Sequence, residues 1–222
     1  LTAAAGGHAD ADAVRAAGAR HVHVVLDYDG TLVPIAQTPS QAEPDAALLE
    51  LLTTLTQAPS TSVHVASGRD RATLDAWLGM LPIGLVAEHG AHVRAAGGDW
   101  TEARTPAWKD EALRALQALG DAAPGSFVEA KHCSVALHTR GVGLPQREVF
   151  EADAVVAIAR ALGDEVEVLR GHCVVEVRDP RFKKSRAVAA VGAVEGDLVI
   201  AAGDDNTDED LFVDLPAGSV AV

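Results

Sequence analysis

Short apolar runs that end directly in acidic residues are the feature that most constrains the fold of this chain. Residues 21–26 (HVHVVL) form a β-branched run, and Asp27 and Asp29 follow it at once. Residues 197–202 (DLVIAA) form a second run, which opens into an acidic segment over residues 203–210 (GDDNTDED). Runs of this length suit strands that are buried on both faces, and the turn residues after them mark strand ends. We therefore expect buried strands whose ends carry carboxylates.

The segments after the first run alternate between helix and strand patterns. Residues 44–55 (PDAALLELLTTL) place a proline in the first turn and leucines at helical spacing, and residues 62–66 (SVHVA) form another short strand run. Similar patterns predict helices over residues 71–78 and 186–191, a strand over 85–87 and a weak helix over 11–19. This alternating order implies right-handed crossovers and a parallel sheet, so we expect an α/β fold.

The middle of the chain has a different pattern. Alternating strand segments and amphipathic helices follow one another there without the parallel-sheet order. We expect helices over residues 108–119 and 147–162 and strands over 127–131, 134–140, 166–169 and 173–177. The pattern predicts a small α+β insertion over residues 95–175, within a core made of residues 1–94 and 176–222.

The charge balance excludes several classes of partner. The chain has 32 Asp and Glu residues against 18 Lys and Arg residues, a formal net charge of −14. An acidic surface repels phosphate backbones and anionic lipids, so we exclude nucleic acids and membranes as partners. No run approaches the roughly 20 apolar residues of a membrane span.

Two cysteines, Cys133 and Cys173, without a CxxC spacing fit a reducing compartment. We expect a cytoplasmic protein and, because Leu1 is not Met, a fragment of a longer chain.

The segment Asp27-Tyr28-Asp29-Gly30-Thr31 is the strongest candidate for chemistry. Ligands of open α/β sheets bind at the carboxyl ends of strands. Two carboxylates one residue apart on such a loop can act as nucleophile and general acid, with a divalent cation offsetting their repulsion. The alternative is that Asp-Gly here is only turn chemistry.

The acidic segment over residues 203–210 is expected at the same sheet edge. Many carboxylates at one edge require a hard cation with oxygen ligands, and Mg²⁺ is the natural choice. The alternative is a solvated loop or an acidic helix N-terminus. Two further segments are ambiguous by themselves. Ser67-Gly68-Arg69 suits either an anion site or a helix N-cap, and Lys183-Lys184 suits either a phosphate contact or a solvated turn.

In chain order, DYDGT, SGR, the Lys184 segment and GDDNTDE resemble the four motifs of the haloacid dehalogenase superfamily of phosphotransferases. The resemblance implies a Rossmann-like parallel-sheet core with an inserted α+β cap. It implies that Asp27 is the nucleophile that forms an aspartyl-phosphate, and that Asp29 protonates the leaving alcohol and later activates water. Ser67 and Lys184 would hold the phosphoryl oxygens.

The same resemblance implies a Mg²⁺ site. Its ligands would be the Asp27 carboxylate, the Asp29 backbone carbonyl and Asp204. Asp205 or Asp208 would give further support, as a ligand or behind the ligands. The metal and Lys184 would supply mostly electrostatic stabilisation.

Longer segments resemble trehalose-6-phosphate phosphatases, and in particular the phosphatase domains fused to a trehalose-phosphate synthase. The segments are LDYDGTLVPI, SGRDRATLDAWLG, AEHGAHVR, FVEAKHCSVALHTR, VVEVRDPRFKKS and GDDNTDEDLF, which together extend from about residue 22 to 215. This resemblance implies hydrolysis of trehalose 6-phosphate to trehalose and phosphate. It also implies a cap that closes over the disaccharide, and a synthase domain or subunit as a partner.

The cap carries candidate sugar-binding residues. Glu129 and Lys131 are two apart on one predicted strand, and His138 and Arg140 are two apart on the next, so each pair lies on one face. The alternative is that this polar face is turned to solvent. The resemblance implies that substrate is contacted by Arg69 in the core and by Glu129, Lys131, His138, Arg140 and Glu176 in the cap. Carboxylates and amines suit a disaccharide because each can bind paired hydroxyls.

Several points stay open. The third motif has Lys184-Ser185 where the family has Lys-Gly, and the spacing from Glu176 favours Lys184 over Lys183. His89 is expected either to touch substrate or to bond a backbone carbonyl at a hinge. The three tryptophans are expected to pack helices. The alternatives to the function are a phosphatase for another sugar phosphate and a non-catalytic regulatory domain partnered with a synthase.

Overall fold

Two sheets organise the chain in the computed structural model, which describes residues 18–36, 38–101, 103–205 and 207–222. The strands are β1 (Val22–Asp27), β2 (Thr61–Ala66), β3 (Gly84–Ala87), β4 (His92–Arg94), β5 (Trp100–Thr101), β6 (Phe127–Ala130), β7 (Ser134–His138), β8 (Glu167–Gly171), β9 (Val174–Arg178), β10 (Leu198–Ala202) and β11 (Val220–Ala221). Within the described residues, the large sheet has the order β11-β10-β1-β2-β3-β4-β5 and the small sheet has the order β6-β7-β9-β8.

The large sheet is parallel over its central strands, as predicted. β10, β1, β2 and β3 run in one direction, and β11 continues this direction at one edge. β4 and β5 extend the other edge as antiparallel strands. In the register, Leu26 pairs with Ala202 and Asp27 pairs with Ala66, so the ends of three neighbouring strands meet at one edge.

The helices are α1 (Ala46–Gln57), α2 (Arg71–Leu78), α3 (Lys109–Asp121), α4 (Gln146–Leu162), α5 (Ser185–Val191) and α6 (Glu209–Val213). The structure contains the predicted helices and strands, and their bounds lie within a few residues of the expected ones. Pro44 was predicted in the first turn of this helix, but it lies just before α1. Asp45 caps the helix, and its side chain accepts a hydrogen bond from the Leu48 N–H at 2.8 Å. The helix expected over residues 11–19 lies almost wholly outside the described residues.

Alternate residues of the large sheet pack against helices on its two faces. Leu85 of β3 belongs to an apolar cluster with α1 and α2, whereas its neighbour Val86 belongs to a cluster with α5 and α6. Both side chains are fully buried. Because side chains alternate along a strand, helices on both sides bury the whole of β3. This arrangement explains why the strand reads as a continuous apolar run.

The small sheet is covered by α3 and α4. Trp108, Leu116 and Ile158 from the helical side pack against Val135 and Val177 of the sheet. The sheet is antiparallel throughout, in contrast to the large one. It therefore has a core of its own, and its other face lies towards the large sheet.

The two sheets divide the chain somewhat differently from the predicted 95–175 boundary. Residues 100–101 (β5) pair with β4 in the large sheet, and residues 174–178 (β9) stay in the small sheet to their end. A two-residue strand has too few residues to show an alternating pattern, so the sequence did not indicate β5. The final segment, β11, pairs with β10 and so belongs to the large sheet.

Both cysteines are buried free thiols. Of the helices formed by the described residues, none is both long and apolar enough to span a bilayer.

The packing of the small sheet generates a stability prediction. Leu116→Ala should lower the free energy of unfolding by about 2–5 kcal/mol, because Leu116 is fully buried between helix and sheet and its truncation leaves a cavity. Val156→Ala, on the exposed face of α4, should change it by less than about 0.5 kcal/mol. Urea denaturation of both variants makes the measurement, and equal losses would contradict this account of the core.

Candidate active site

The predicted catalytic and metal-binding residues lie at or near the edge where the parallel strands end. Asp27 is the last residue of β1, and Ser67 and Gly203 follow β2 and β10 directly. A cleft of about 910 Å³ lies over this edge, between the large sheet and the small one. All predicted site residues line it: Asp27, Asp29, Ser67, Arg69, Glu129, Lys131, His138, Arg140, Glu176, Lys184, Asp204 and Asp205. Parallel strands whose crossovers leave to opposite sides open such a crevice at their carboxyl ends.

A buried lysine joins two carboxylates at the floor of the cleft. Lys184 Nζ donates to Asp27 Oδ1 and to Asp208 Oδ1, both at 2.7 Å. All three side chains are almost completely buried. Burial disfavours the ammonium charge, but the carboxylates of Asp27 and Asp208 outweigh this effect and raise the pKa of Lys184 above its ordinary value. Lys184 is therefore a fixed positive charge at this position.

The second oxygen of Asp27 has no partner. Asp27 Oδ2 is buried and makes no hydrogen bond within the described residues. Burial, with the Asp208 carboxylate adding to it, outweighs Lys184 and raises the pKa of Asp27 to about 7. A buried carboxylate oxygen without a partner is costly unless a ligand or cation satisfies it.

The neighbouring carboxylates fit a divalent cation. Asp27, Asp204 and Asp208 each offer an oxygen, and these oxygens all lie within 4.8 Å of one another. Burial, and then the charges of Asp205 and Asp208, raise the pKa of Asp204. Neighbouring carboxylates with one unpartnered oxygen among them have the chemistry that suits a hard cation such as Mg²⁺.

Gly30 makes room for this carboxylate group. Its φ is +98°, and a Cβ atom placed there would lie 2.0 Å from Asp204 Oδ2. A larger residue at this position would therefore clash with Asp204 as well as strain the backbone. The glycine of the DYDGT segment has a role beyond the turn, because it lets the acidic loop approach β1.

Asp205 and Asp208 use their carboxylates differently, and the choice between them as support for a metal stays a prediction. Asp205 Oδ1 accepts from the N–H and the hydroxyl of Thr207, both at 2.7 Å. Asp208 Oδ2 instead accepts from the backbone N–H groups of Asp204 and Asp205, and Oδ1 from Lys184. The structure thus gives Asp208 a place in the hydrogen bonding of the loop, whereas the sequence alone left Asp205 and Asp208 equivalent.

Asp29 and Arg69 form a two-pronged ion pair across the cleft. Arg69 Nε donates to Asp29 Oδ2 at 2.8 Å and Arg69 Nη2 to Oδ1 at 2.6 Å. Arg69 Nη1 donates to the Pro39 carbonyl, and the guanidinium lies 4.7 Å from the centre of the Trp77 ring. Trp77 packs against the apolar core, as expected, and it also contacts the Arg69 guanidinium in the cleft, a contact that the sequence did not reveal. The predicted role of the Asp29 carbonyl as a metal ligand stays a prediction.

Ser67 is buried at the end of β2 and does not cap the following helix. Asp70 caps α2 by accepting from the Thr73 N–H at 3.0 Å. Ser67 Oγ accepts from the Arg69 N–H at 3.1 Å, which leaves the hydroxyl hydrogen available to an acceptor in the cleft. Ser67 is therefore not the N-cap of α2, which was one of the two roles predicted for this segment.

Lys131 and Glu176 form a second buried network, on the side of the small sheet. Lys131 Nζ donates to Glu176 Oε1 and to the Gly68 carbonyl, both at 2.9 Å. His89 Nε2 lies 3.0 Å from Glu176 Oε2, so His89 meets a carboxylate rather than a backbone carbonyl. The charges of Lys131 and His89 outweigh burial and hold the pKa of Glu176 well below its ordinary value. Because Gly68 and His89 belong to the large-sheet side, this network joins the two parts.

Glu129 and His138 face the cleft from neighbouring strands. His138 Nε2 lies 2.7 Å from Glu129 Oε2, and the His138 ring stacks on Phe127 with 4.5 Å between ring centres. The hydrogen bond to His138 lowers the pKa of Glu129. Arg140 lines the cleft beyond the end of β7. The polar face of the small sheet is thus turned to the cleft.

Known proteins with similar sequences agree on one family. A sequence profile described as trehalose-phosphatase matches residues 25–218. A bifunctional trehalose-6-phosphate synthase/phosphatase from Thermoproteus tenax is 41% identical over 203 residues, which are 90% of this chain and 28% of that protein. A trehalose-phosphatase from Schizosaccharomyces pombe is 36% identical over 204 residues, covering 86% of this chain and 25% of that protein. The chain therefore spans about a quarter of the length of these curated relatives.

Solved structures agree on the fold. The C-terminal domain of trehalose-6-phosphate phosphatase from C. albicans superposes with a TM-score of 0.83 at 28% identity, covering 88% of this chain and 74% of that one. A haloacid dehalogenase-like hydrolase from Bacteroides thetaiotaomicron superposes with a TM-score of 0.60 at 16% identity, covering 85% and 84% of the two chains, which shows the fold alone. The predicted α/β fold of the haloacid dehalogenase type is confirmed.

The buried network around Glu176 generates a stability prediction. Lys131→Met should lower the free energy of unfolding by about 3 kcal/mol, because it leaves the buried Glu176 carboxylate without its ammonium partner. Glu129→Gln, which alters the more exposed pair with His138, should cost less than about 1 kcal/mol. Urea denaturation at pH 7 measures both variants. Similar small losses in the two would show that the Lys131–Glu176 pair does not hold the parts together.

Proposed function

The chain belongs to the trehalose-phosphatase family, and from this premise we propose that it hydrolyses trehalose 6-phosphate to trehalose and phosphate with the help of Mg²⁺. One observation carries the chemical part of the proposal. Asp27 has one oxygen fixed by Lys184 and the other buried without a partner, at the floor of a cleft. Such an oxygen is poised to meet either a phosphorus atom or a cation.

The proposed reaction has two steps. In the first, an Asp27 carboxylate oxygen attacks phosphorus, the bond from phosphorus to the sugar oxygen breaks, and Asp29 gives a proton to that oxygen. In the second, Asp29 takes a proton from water, the water oxygen attacks phosphorus, and the Asp27 carboxylate leaves. Phosphate is released with Asp27 restored. The short spacing of Asp27 and Asp29 on one loop supports the pairing of these roles.

The carboxylates of Asp27 and Asp204, with the Asp29 backbone carbonyl, would hold Mg²⁺, and Asp205 or Asp208 would support the site. When bound, the ion neutralises carboxylate charge and stabilises the negative charge of the transferring phosphoryl group. Lys184 adds a fixed positive charge beside Asp27, and the Ser67 hydroxyl can donate to a phosphoryl oxygen. These groups are already in place, so their charge need not be rearranged during the reaction.

Arg69 has two roles in this proposal. The guanidinium holds Asp29 in the geometry described above, and it is also the positive group that would meet the phosphate. A phosphate that draws Arg69 away would free the Asp29 carboxylate to exchange a proton with the sugar oxygen. The contact between Arg69 and Trp77 supports this, because the ring holds the guanidinium inside the cleft.

We propose that the small sheet and its helices are a cap that reads the sugar. Glu129, His138 and Arg140 face the cleft with free hydrogen-bonding capacity for sugar hydroxyls. Lys131 and Glu176 lie deeper and are bonded to each other, so they would contact the substrate from a fixed position. A site built from charged hydrogen-bonding groups rejects a sugar that leaves them unpaired. The bifunctional relative supports a synthase domain or subunit as a partner.

A substrate panel tests the proposed function. Phosphate release should be faster from trehalose 6-phosphate than from glucose 6-phosphate, and it should require Mg²⁺. Asp27→Asn should lower kcat more than about 1,000-fold on every substrate, because it removes the nucleophile. Faster release from glucose 6-phosphate would favour a phosphatase for another sugar phosphate. No Mg²⁺-dependent release from any substrate would favour a regulatory domain.

The close approach of Gly30 to the Asp204 carboxylate generates a prediction for Mg²⁺ affinity. Gly30→Ala should weaken Mg²⁺ binding at least about 10-fold, because its Cβ would displace the Asp204 carboxylate. Gly192→Ala is the matched control: Gly192 also has a positive φ, +64°, but a Cβ there meets nothing within 4 Å. Calorimetric titration with Mg²⁺ measures both variants, and thermal unfolding checks that they fold. Equal affinities would place the cation elsewhere.

A further inference from the structure

Three residues outside the cleft bring nitrogen and sulfur atoms together where the small sheet meets the large one. His92 lies on β4 of the large sheet, whereas His132 and Cys133 lie in the turn between β6 and β7 of the small sheet. None of the three lines the cleft or takes part in the proposed reaction. The cluster is therefore a separate feature of the molecule.

The distances between the three atoms approach those of a tetrahedral metal site. His92 Nε2 and His132 Nδ1 are 3.0 Å apart, and Cys133 Sγ lies 3.9 Å from the first nitrogen and 3.8 Å from the second. Bonds of about 2.0 Å to nitrogen and 2.3 Å to sulfur place tetrahedral ligand atoms roughly 3.3–3.6 Å apart. Each observed separation is within a few tenths of an ångström of this range.

The other nitrogen of each imidazole is held by an oxygen. His92 Nδ1 donates to the Thr101 carbonyl at 3.3 Å, which leaves Nε2 with its lone pair towards the cluster. His132 Nε2 lies 2.9 Å from Thr105 Oγ1, which can accept a hydrogen bond from the N–H of that nitrogen and leave Nδ1 free to bind. Ligand histidines are commonly oriented in this way by an oxygen on the far side of the ring.

A buried carboxylate completes the surroundings. Glu88 accepts from the backbone N–H groups of His132 and Cys133 at 3.1 and 2.6 Å, and its Oε1 lies 3.8 Å from His92 Nε2. Glu88 and His89 both have positive φ, +47° and +54°, a conformation that costs energy in residues with side chains. The strained turn thus places a carboxylate beside His92 and bonds it to the backbone of His132 and Cys133.

We propose that His92, His132 and Cys133 bind Zn²⁺, with Glu88 beside them, and that the ion ties the small sheet to the large one. Two imidazoles and a thiolate favour Zn²⁺ over Mg²⁺, which takes oxygen ligands. The thiolate and the Glu88 carboxylate balance the charge of the ion, and the thiol proton goes to solvent on binding. His132 is exposed while His92 and Cys133 are buried, so the ion can enter from the His132 side.

The simpler alternative is a hydrogen-bond chain without metal, in which His132 Nδ1 donates to His92 Nε2. Both arrangements place the two nitrogens close together, so geometry does not separate them. The sulfur atom distinguishes the two arrangements, because the hydrogen-bond chain does not involve Cys133, whereas the metal ion would bind to its thiolate. An experiment that observes a metal–sulfur bond therefore decides between them.

Co²⁺ titration of the whole chain, with Mg²⁺ in excess to occupy the carboxylate site, provides this observation. The wild type should develop the near-ultraviolet charge-transfer absorption of a cobalt–thiolate bond, saturating at one ion per chain and disappearing when Zn²⁺ is added. Cys133→Ser should lose the absorption. His132→Ala should weaken Co²⁺ binding at least 10-fold. Cys173→Ser, which removes the other buried thiol, should keep the absorption of the wild type.

The outcomes are distinguishable. The proposal is overturned if the folded wild type shows no cobalt–thiolate absorption, if Cys133→Ser keeps it, or if Cys173→Ser loses it. Circular dichroism checks folding, and if Cys133→Ser does not fold, the exposed His132→Ala variant decides, since unchanged affinity there also overturns the proposal. Zn²⁺ should raise the unfolding temperature of the wild type and not that of His132→Ala, as a tie between the sheets requires.

Discussion

The contact of Lys184 with Asp27 and Asp208 is the interaction on which the rest of the large sheet depends. Two carboxylates and one ammonium are almost completely buried there, and each alone would be too costly to remove from water. Together they fasten the end of β1 to the loops before α5 and α6, which come from the far end of the sequence. The paired charges therefore hold the strand ends in the arrangement that forms the cleft floor. Removing one member would leave uncompensated charge as well as alter the site.

Polar contacts also hold the small sheet to the large one. Lys131 and Glu176 reach Gly68 and His89 on one side of this junction. On the other side, the Glu88 carboxylate accepts hydrogen bonds from two backbone N–H groups in the turn between β6 and β7. Hydrogen-bonded contacts of this kind are directional, so they define one relative position of the sheets more sharply than apolar packing would. The residues that would read a sugar are thereby placed over the residues that would act on its phosphate.

Most of the fold could be predicted because its elements carry local patterns. Strands β1, β2 and β10 are continuous apolar runs bounded by turn residues, and α1, α2 and α5 show helical spacing. The edge strand β5 could not be predicted, because two residues show no period and pairing with β4 supplies its geometry. The helix α6 lies within an acidic segment whose composition equally suits a loop. The bounds of the small sheet could not be predicted to the residue for the same reason, since pairing between distant strands decides where a sheet ends.

The sequence by itself determined the α/β order, the family, and the carboxylates, hydroxyl and lysine that face the cleft, because these follow from short motifs at strand ends. Tertiary structure decided which of them touch. It placed Asp208 rather than Asp205 beside Asp27, set Arg69 on Asp29 and Trp77, and bonded His89 to Glu176. It also brought His92 to His132 and Cys133, some 40 residues further along the chain. Such pairs depend on how separately folded segments pack against one another, and no local period or spacing records that packing.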